Sequence, residues 1–254
     1  NARRGAIVHA SNMLGPPALL GIPYDAGSSY RRGAAAAPEE IRRALRSEAS
    51  NTWSESGIDV GSPDRLGDIG DLDVSDATKV RETIERGIKD LISIGHRPLS
   101  LGGDHSITYP IMRGFGRMFG QFTLLQIDAH PDLYPTFQGD RHSHACPFAR
   151  IMEEGLVQRL VQVGIRTMND EQRINAERFG VEVIDMRAWA AGARPVIEGS
   201  VYVSLDVDGL DPAFAPGVSH REPGGLTTRE VISLIQALNG PLVGADVVEF
   251  NPGE

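Results

Sequence analysis

"LLQIDAHPDLY", residues Leu124 to Tyr134, opens as a mostly apolar run and then places three ionisable groups at alternate positions, Asp128, His130 and Asp132. A short apolar run bounded by polar residues reads as a strand buried on both faces, the kind found inside parallel sheets. Residues two apart on a strand point to one side. The spacing therefore predicts that the three polar groups leave the strand in one direction. Burying one unpaired carboxylate is costly, and burying two side by side more so. The stretch calls for a positive partner.

Working outward, similar strands recur on either side. "PALLGI", "RPLSLGG", "LVQVGI", "VEVID", "SVYVSLDVD" and "LVGADVVEF" all read as strands, and "DRLGDIGDLDV" as a glycine-punctuated strand and loop. Between them lie helical patterns. "PEEIRRALRSEA" places Pro38 in a first turn, where its missing N–H does no harm. Val80, Ile84, Ile88, Leu91 and Ile92 follow helical spacing and stop at Gly95. "SITYPIMRGFGRM", "PFARIMEE", "NDEQRINAERFG" and "TREVISLIQALNG" supply further helices. Strands alternating with helices predict parallel pairing through crossover helices, with the sheet covered on both faces. No linker composition or fixed repeat interrupts the chain. A single domain over residues 1–254 is expected, with residues 1–16 as an N-terminal arm.

The bulk numbers exclude several functions. The 254 residues carry 34 acidic and 25 basic side chains, a net charge of −9, so no nucleic-acid footprint is expected. No apolar run reaches the roughly 18 residues of a membrane span, and the start does not read as a signal peptide. The single cysteine, Cys146, forbids an intrachain disulfide and fits a reducing, cytoplasmic setting. It reads as a packing residue in preference to a nucleophile.

In parallel α/β sheets ligands gather beyond the carboxyl ends of the strands. There this sequence places Asp104 and His105, then Asp128, His130 and Asp132, then Asp206 and Asp208, and finally Glu249. Each piece alone is a common turn or helix cap. Together, four aspartates and two histidines suit two divalent ions, Mn²⁺ first, with Fe, Co or Ni as alternatives. Such ions would supply the missing positive charge.

"GGDHS" (102–106), "DAHPD" (128–132), "SLDVDGLDPAFAPG" (204–217) and "EFNP" (249–252), in that order, resemble the ureohydrolase family of arginase, agmatinase and relatives. "SHACPFARIMEEG", "QVGIR" and "PGVSHREPGG" make the likeness strongest to plant-type arginases and agmatinase-like bacterial relatives. The resemblance implies a three-layer α/β/α sandwich around an eight-stranded, mainly parallel sheet. It also implies a binuclear manganese site and a homo-oligomer, trimer or hexamer. His105 and Asp132 would then bind one ion, His130 and Asp208 the other, with Asp128 and Asp206 bridging. Glu249 would hold the guanidinium, and His144 would move protons near the leaving amine, with His142 as its competitor. Gly102 and Gly103 are expected to let the backbone turn sharply before His105.

The expected reaction is hydrolysis of a small cationic guanidino substrate to urea and an amine, with Asp128 serving the nucleophile's site. The substrate tail is left to the loops. His220 and Glu222 stand where many relatives carry threonines, and the asparagine and serine with which typical arginases grip the amino-acid end are absent. Asp140 and Glu222 could meet a substrate amine and the loop residues Arg141 and Arg221 a carboxylate, so the loops do not decide. The plant-type likeness pulls towards arginine, and the net negative charge tilts the expectation slightly towards agmatine, with Glu222 as a candidate substrate-binding residue. L-arginine, guanidinobutyrate, guanidine and formiminoglutamate remain alternatives, and so does a catalytically inactive metal-binding protein. A binuclear phosphoesterase or a metal-dependent deacetylase would share the ligand types but need other neighbours. Family members generally continue through another helix beyond the point where this sequence stops, at Glu254.

Overall fold

A computed structural model describes residues 15–62, 64–116 and 122–254. Most of the expected N-terminal arm, residues 1–14, lies outside the described residues. Eight strands form one sheet: β1 (Pro17–Ile22), β2 (Gly67–Asp71), β3 (Arg97–Gly102), β4 (Thr123–Ile127), β5 (Arg159–Ile165), β6 (Glu182–Asp185), β7 (Val201–Asp206) and β8 (Leu242–Val248). Their order is β2-β1-β3-β8-β7-β4-β5-β6, and every pairing is parallel.

The sheet is apolar on both faces because neighbouring residues of each central strand serve different cores. Leu124, Leu160 and Tyr202 join one cluster, with Ile84 and Ile88 of helix α2 (Val80–Ser93), Ile111 and Phe115 of α3 (Thr108–Phe115) and Phe148 of α4 (Pro147–Glu154). Leu125, Val161 and Val203 join the other, with Trp189 of α6 (Met186–Ala190) and Val231 and Leu234 of α7 (Thr228–Gln236). Two remaining helices are α1 (Ala37–Leu45) and α5 (Asp170–Phe179). The three-layer expectation holds.

Local chemistry sets the helix ends. Asn169 caps α5 by accepting the Gln172 N–H, and Gly180 closes it in the left-handed conformation. Thr227 and Glu230 form a reciprocal capping box on α7. Pro110 sits in the first turn of α3, where no intrahelical N–H is needed. Helix α6 was not read from sequence. It is one short turn and a half, started by the Asp185 carboxylate accepting the Ala188 N–H.

Strand order positions the site. β3, β8, β7 and β4 are the four central strands. After β3 the chain skips two positions to start β4, and β8 and β7 occupy the gap. Such a switch point opens a crevice at the strands' carboxyl ends.

Candidate metal centre and substrate cavity

The polar groups predicted from sequence come from the ends of these four strands. His105 follows β3, Asp128 follows β4, Asp206 ends β7, and Glu249 follows β8. One expectation needs correction. Strand β4 stops at Ile127, so Asp128, His130 and Asp132 do not alternate on a strand. They lie on a loop that curls round the site, with Asp132 held at φ 50°. Likewise Asp208 sits in a single 3₁₀ turn after β7. The loop is shaped by its own ligands: Asp128 Oδ1 accepts the His130 N–H at 2.6 Å, and Asp206 Oδ1 accepts the Asp208 N–H at 2.8 Å. Asp208 Oδ1 in turn accepts the Ala129 N–H at 3.2 Å, tying the two loops together.

The second carboxylate oxygens turn inward. Oδ2 of Asp128, Asp132 and Asp206 lie 3.1, 3.2 and 3.1 Å from His105 Nδ1. Asp208 Oδ2 lies 3.1 Å from His130 Nδ1. Two groups with metal-ligand geometry result, His105–Asp128–Asp132 and Asp128–His130–Asp208, and Asp128 belongs to both.

The donors fit divalent cations. Ser204 donates its hydroxyl proton to Asp246 Oδ1 at 2.6 Å, so its oxygen is left to accept from His105 Nε2 at 3.0 Å. With the proton on Nε2, the lone pair of Nδ1 faces three carboxylate oxygens, and Nδ1 is a buried atom with no hydrogen-bond partner. Lone pair against carboxylate is repulsive unless a cation lies between them. Burial, then the charges of Asp208 and Asp128, pushes the Asp206 carboxyl well above the carboxylate range. A cation at the shared ligands would offset both effects. Nitrogen and oxygen donors of this kind suit Mn²⁺, Fe, Co or Ni.

The residues that hold the ligands were not singled out from sequence. Asp246 is fully buried and also accepts from the Tyr202 and Thr108 hydroxyls, at 2.9 and 3.1 Å. Gln126 donates to Asp128 Oδ2 at 2.7 Å and to the His130 carbonyl at 3.0 Å, and Gln162 supports it at 2.6 Å. Their signal was a polar residue inside an otherwise apolar central strand. Gly103 is needed for space: a Cβ there would come within 1.7 Å of the Tyr24 carbonyl oxygen. Neither Gly102 nor Gly103 has a positive φ, so close approach, not an unusual turn, is the reason for glycine.

A cavity of about 190 Å³ opens beside the ligands. Asp132, His130, Asp206 and Asp208 line it, together with His144, Glu249, His220, Glu222, Tyr134 and Ser29. Glu249, at φ 61°, is fixed by its backbone N–H on the Gly103 carbonyl. Its Oε1 accepts the His105 backbone N–H and the His144 Nδ1 proton, both at 2.9 Å. His144 Nε2 meets the Ser29 hydroxyl at 2.8 Å. Although burial opposes its charged form, the Glu249 carboxylate raises the His144 pKa to about 9. His220 stands between the rings of His130 and His144, 5.8 and 5.3 Å away, and burial followed by the His144 charge lowers its pKa.

His142 does not join the cavity. Its ring stacks on Tyr109 at 5.7 Å and lines a small separate recess with Tyr24 and Arg81. Cys146 is buried, with its thiol pushed up to about 12 chiefly by burial, as a packing residue should be. A larger recess of about 540 Å³, bounded by Arg166, Arg173 and Met186, contains none of the predicted ligands.

The fold and the paired ligand groups define a parallel α/β protein with a candidate binuclear metal centre at a strand switch point. The sequence profile of the arginase family matches residues 16–253, and the chain belongs to that family. It is 45% identical to arginase 1, mitochondrial, of Arabidopsis thaliana, over 92% of this chain and 73% of the relative. It is 39% identical to guanidinopropionase of Pseudomonas aeruginosa, over 92% and 78% of the two chains. The solved structure of arginase from Medicago truncatula superposes with a TM-score of 0.88 at 39% identity, covering 96% of this chain and 84% of that one. The protein is therefore a hydrolase of the ureohydrolase type, acting on guanidino compounds.

Proposed function

We propose that the protein hydrolyses L-arginine to ornithine and urea with two Mn²⁺ ions bound. The 45% identity to a plant arginase carries this reading over the agmatine expected from composition. His105, Asp132 and Asp128 would hold one ion, and Asp128, His130 and Asp208 the other, with Asp206 as a second bridge. When bound, such a pair supplies positive charge and lowers the pKa of a shared water into the neutral range.

The protein's own groups complete the site. Glu249 is preset by two hydrogen bonds to Oε1, and its Oε2 accepts none among the described residues. A planar guanidinium with several N–H donors pairs well with such a carboxylate. The Glu249 carboxylate beside His144 favours its protonated form, against the cost of burial. Held through Nδ1 on Glu249, the ring can give to the departing amine the Nε2 proton that the Ser29 oxygen otherwise accepts at 2.8 Å.

Agmatine is the second reading. It is favoured by one observation: among the described residues no lysine or arginine lines the cavity to receive an α-carboxylate. The Tyr134 hydroxyl, which accepts from Asn169 at 2.8 Å, still has its proton to offer as a neutral donor. Competition between L-arginine and agmatine, with urea release read on Mn²⁺-loaded protein, decides. A higher kcat/KM for arginine is expected, and a higher value for agmatine would overturn the assignment. A trimeric or hexameric assembly and a reducing compartment belong to the same reading. The plant relative's own name places that protein in mitochondria, and no helix among the described residues is long and apolar enough to cross a membrane.

A further inference from the structure

Glu222, which the sequence placed among the residues near the substrate tail, lies on the cavity wall. Its carboxylate accepts no hydrogen bond among the described residues, and its nearest charged neighbour is His130 Nε2, 3.6 Å away. Its backbone is fixed. Arg166 donates Nε and Nη2 to the Glu222 carbonyl at 3.0 and 2.6 Å. The same guanidinium reaches the carbonyls of Gly164, Asp208, Gly209 and Leu210 at 2.7–3.3 Å. One half-buried arginine therefore sets Glu222 in register with the loop that carries the candidate ligand Asp208.

The charge balance singles Glu222 out. Four aspartates would be offset by two divalent ions, and Glu249 by the protonated His144. That leaves Glu222, among the described residues, as the lining carboxylate without a compensating cation. The nearby arginines are engaged elsewhere: Arg141 pairs with Glu153, and Arg221 with Glu254 and the Pro216 carbonyl. A ligand with an anionic tail would find neutral donors and an acid here.

We propose that Glu222 receives the ammonium at the far end of the substrate, so that the protein selects guanidino compounds with a second positive charge over those ending in a bare carboxylate. The inference rests on the guanidino-hydrolase reading. It applies equally to arginine, through its α-ammonium, and to agmatine.

The test uses full-length, Mn²⁺-reconstituted protein and Glu222→Gln on L-arginine, agmatine, 4-guanidinobutyrate and methylguanidine. Wild type should prefer the first two. The variant should lose roughly tenfold to a hundredfold in kcat/KM on those two, mostly through KM, as expected for one charged hydrogen bond. Hydrolysis of methylguanidine, which has no tail, should stay within about twofold. An equal fall on all four compounds would mean that Glu222 merely supports His130, and would overturn the proposal. So would a wild-type preference for 4-guanidinobutyrate. Calorimetry of the product amines gives an independent readout: ornithine should bind more tightly than 4-aminobutyrate, and Glu222→Gln should erase the difference. If no guanidine is hydrolysed, the proposed function fails, while a retained ornithine preference that Glu222→Gln leaves intact overturns the Glu222 proposal itself.

Discussion

Asp128 is the one residue common to both ligand groups, and its neighbours show how much preparation that takes. Gln126 holds one of its oxygens and the His130 N–H the other, so the carboxylate cannot swing away. Asp132 belongs to one group only. The two therefore fail differently. Asp128→Asn, nearly isosteric, should lose both ions and reduce turnover by several orders of magnitude, because the site of the nucleophile goes with them. Asp132→Asn should keep close to one equivalent. Elemental analysis after dialysis measures both, and two equivalents retained in Asp128→Asn would disprove the bridging assignment. The ligands themselves were legible in the sequence because acids and histidines at strand ends are chemically conspicuous. Ser204 and Asp246 were not, since a relay that fixes a tautomer depends on which side chains meet across three strands, and linear order does not report that.

At the scale of elements, the strands and helices were readable because burial on one or both faces imposes a period on the sequence. The loops were not. "DAHPD" looked like a strand continuing, yet it leaves the sheet at Asp128 because its polar groups bond backbone N–H groups of their own loop, in competition with a ladder. His142 and His144 are two residues apart, but only His144 reaches the cavity, a distinction the local sequence does not contain. Arg166 shows how loops without regular structure become rigid: its fork joins β5, the Asp208 turn and the Glu222 loop through backbone carbonyls. Lysine keeps the charge but not the planar set of donors. Arg166→Lys should therefore cost about 2–4 kcal/mol of stability, given several carbonyls left without partners. It should also weaken binding of the ion held by His130 and Asp208 more than that of the other. Urea denaturation of metal-free protein and Mn²⁺ titration separate the two effects. Unchanged midpoint and affinity would reduce Arg166 to a bystander.

For the whole molecule, the sheet order brings together acids that sequence separates by more than a hundred residues, and β7 and β8, although later in the chain than β4 to β6, lie between β3 and β4. Asp104, Asp128, Asp206 and Asp246 are all essentially buried within or next to these four strands. Hydrophobic burial on both faces must hold that charge in place until cations join it. Metal binding is therefore linked to folding, since the unfolded chain cannot present ligands from four strands at once. Above saturation, each tenfold rise in free Mn²⁺ should add about 1.4 kcal/mol per site, or about 2.7 kcal/mol for two. For a chain of this size that corresponds to roughly 5–10 °C in Tm. Scanning calorimetry across a Mn²⁺ series, with a chelated sample as the baseline, measures the slope. A slope of half this size would indicate one site in place of two. Asp128→Asn should flatten the dependence, and a full slope in that variant would locate the stabilising ions somewhere other than the ends of β3, β4 and β7.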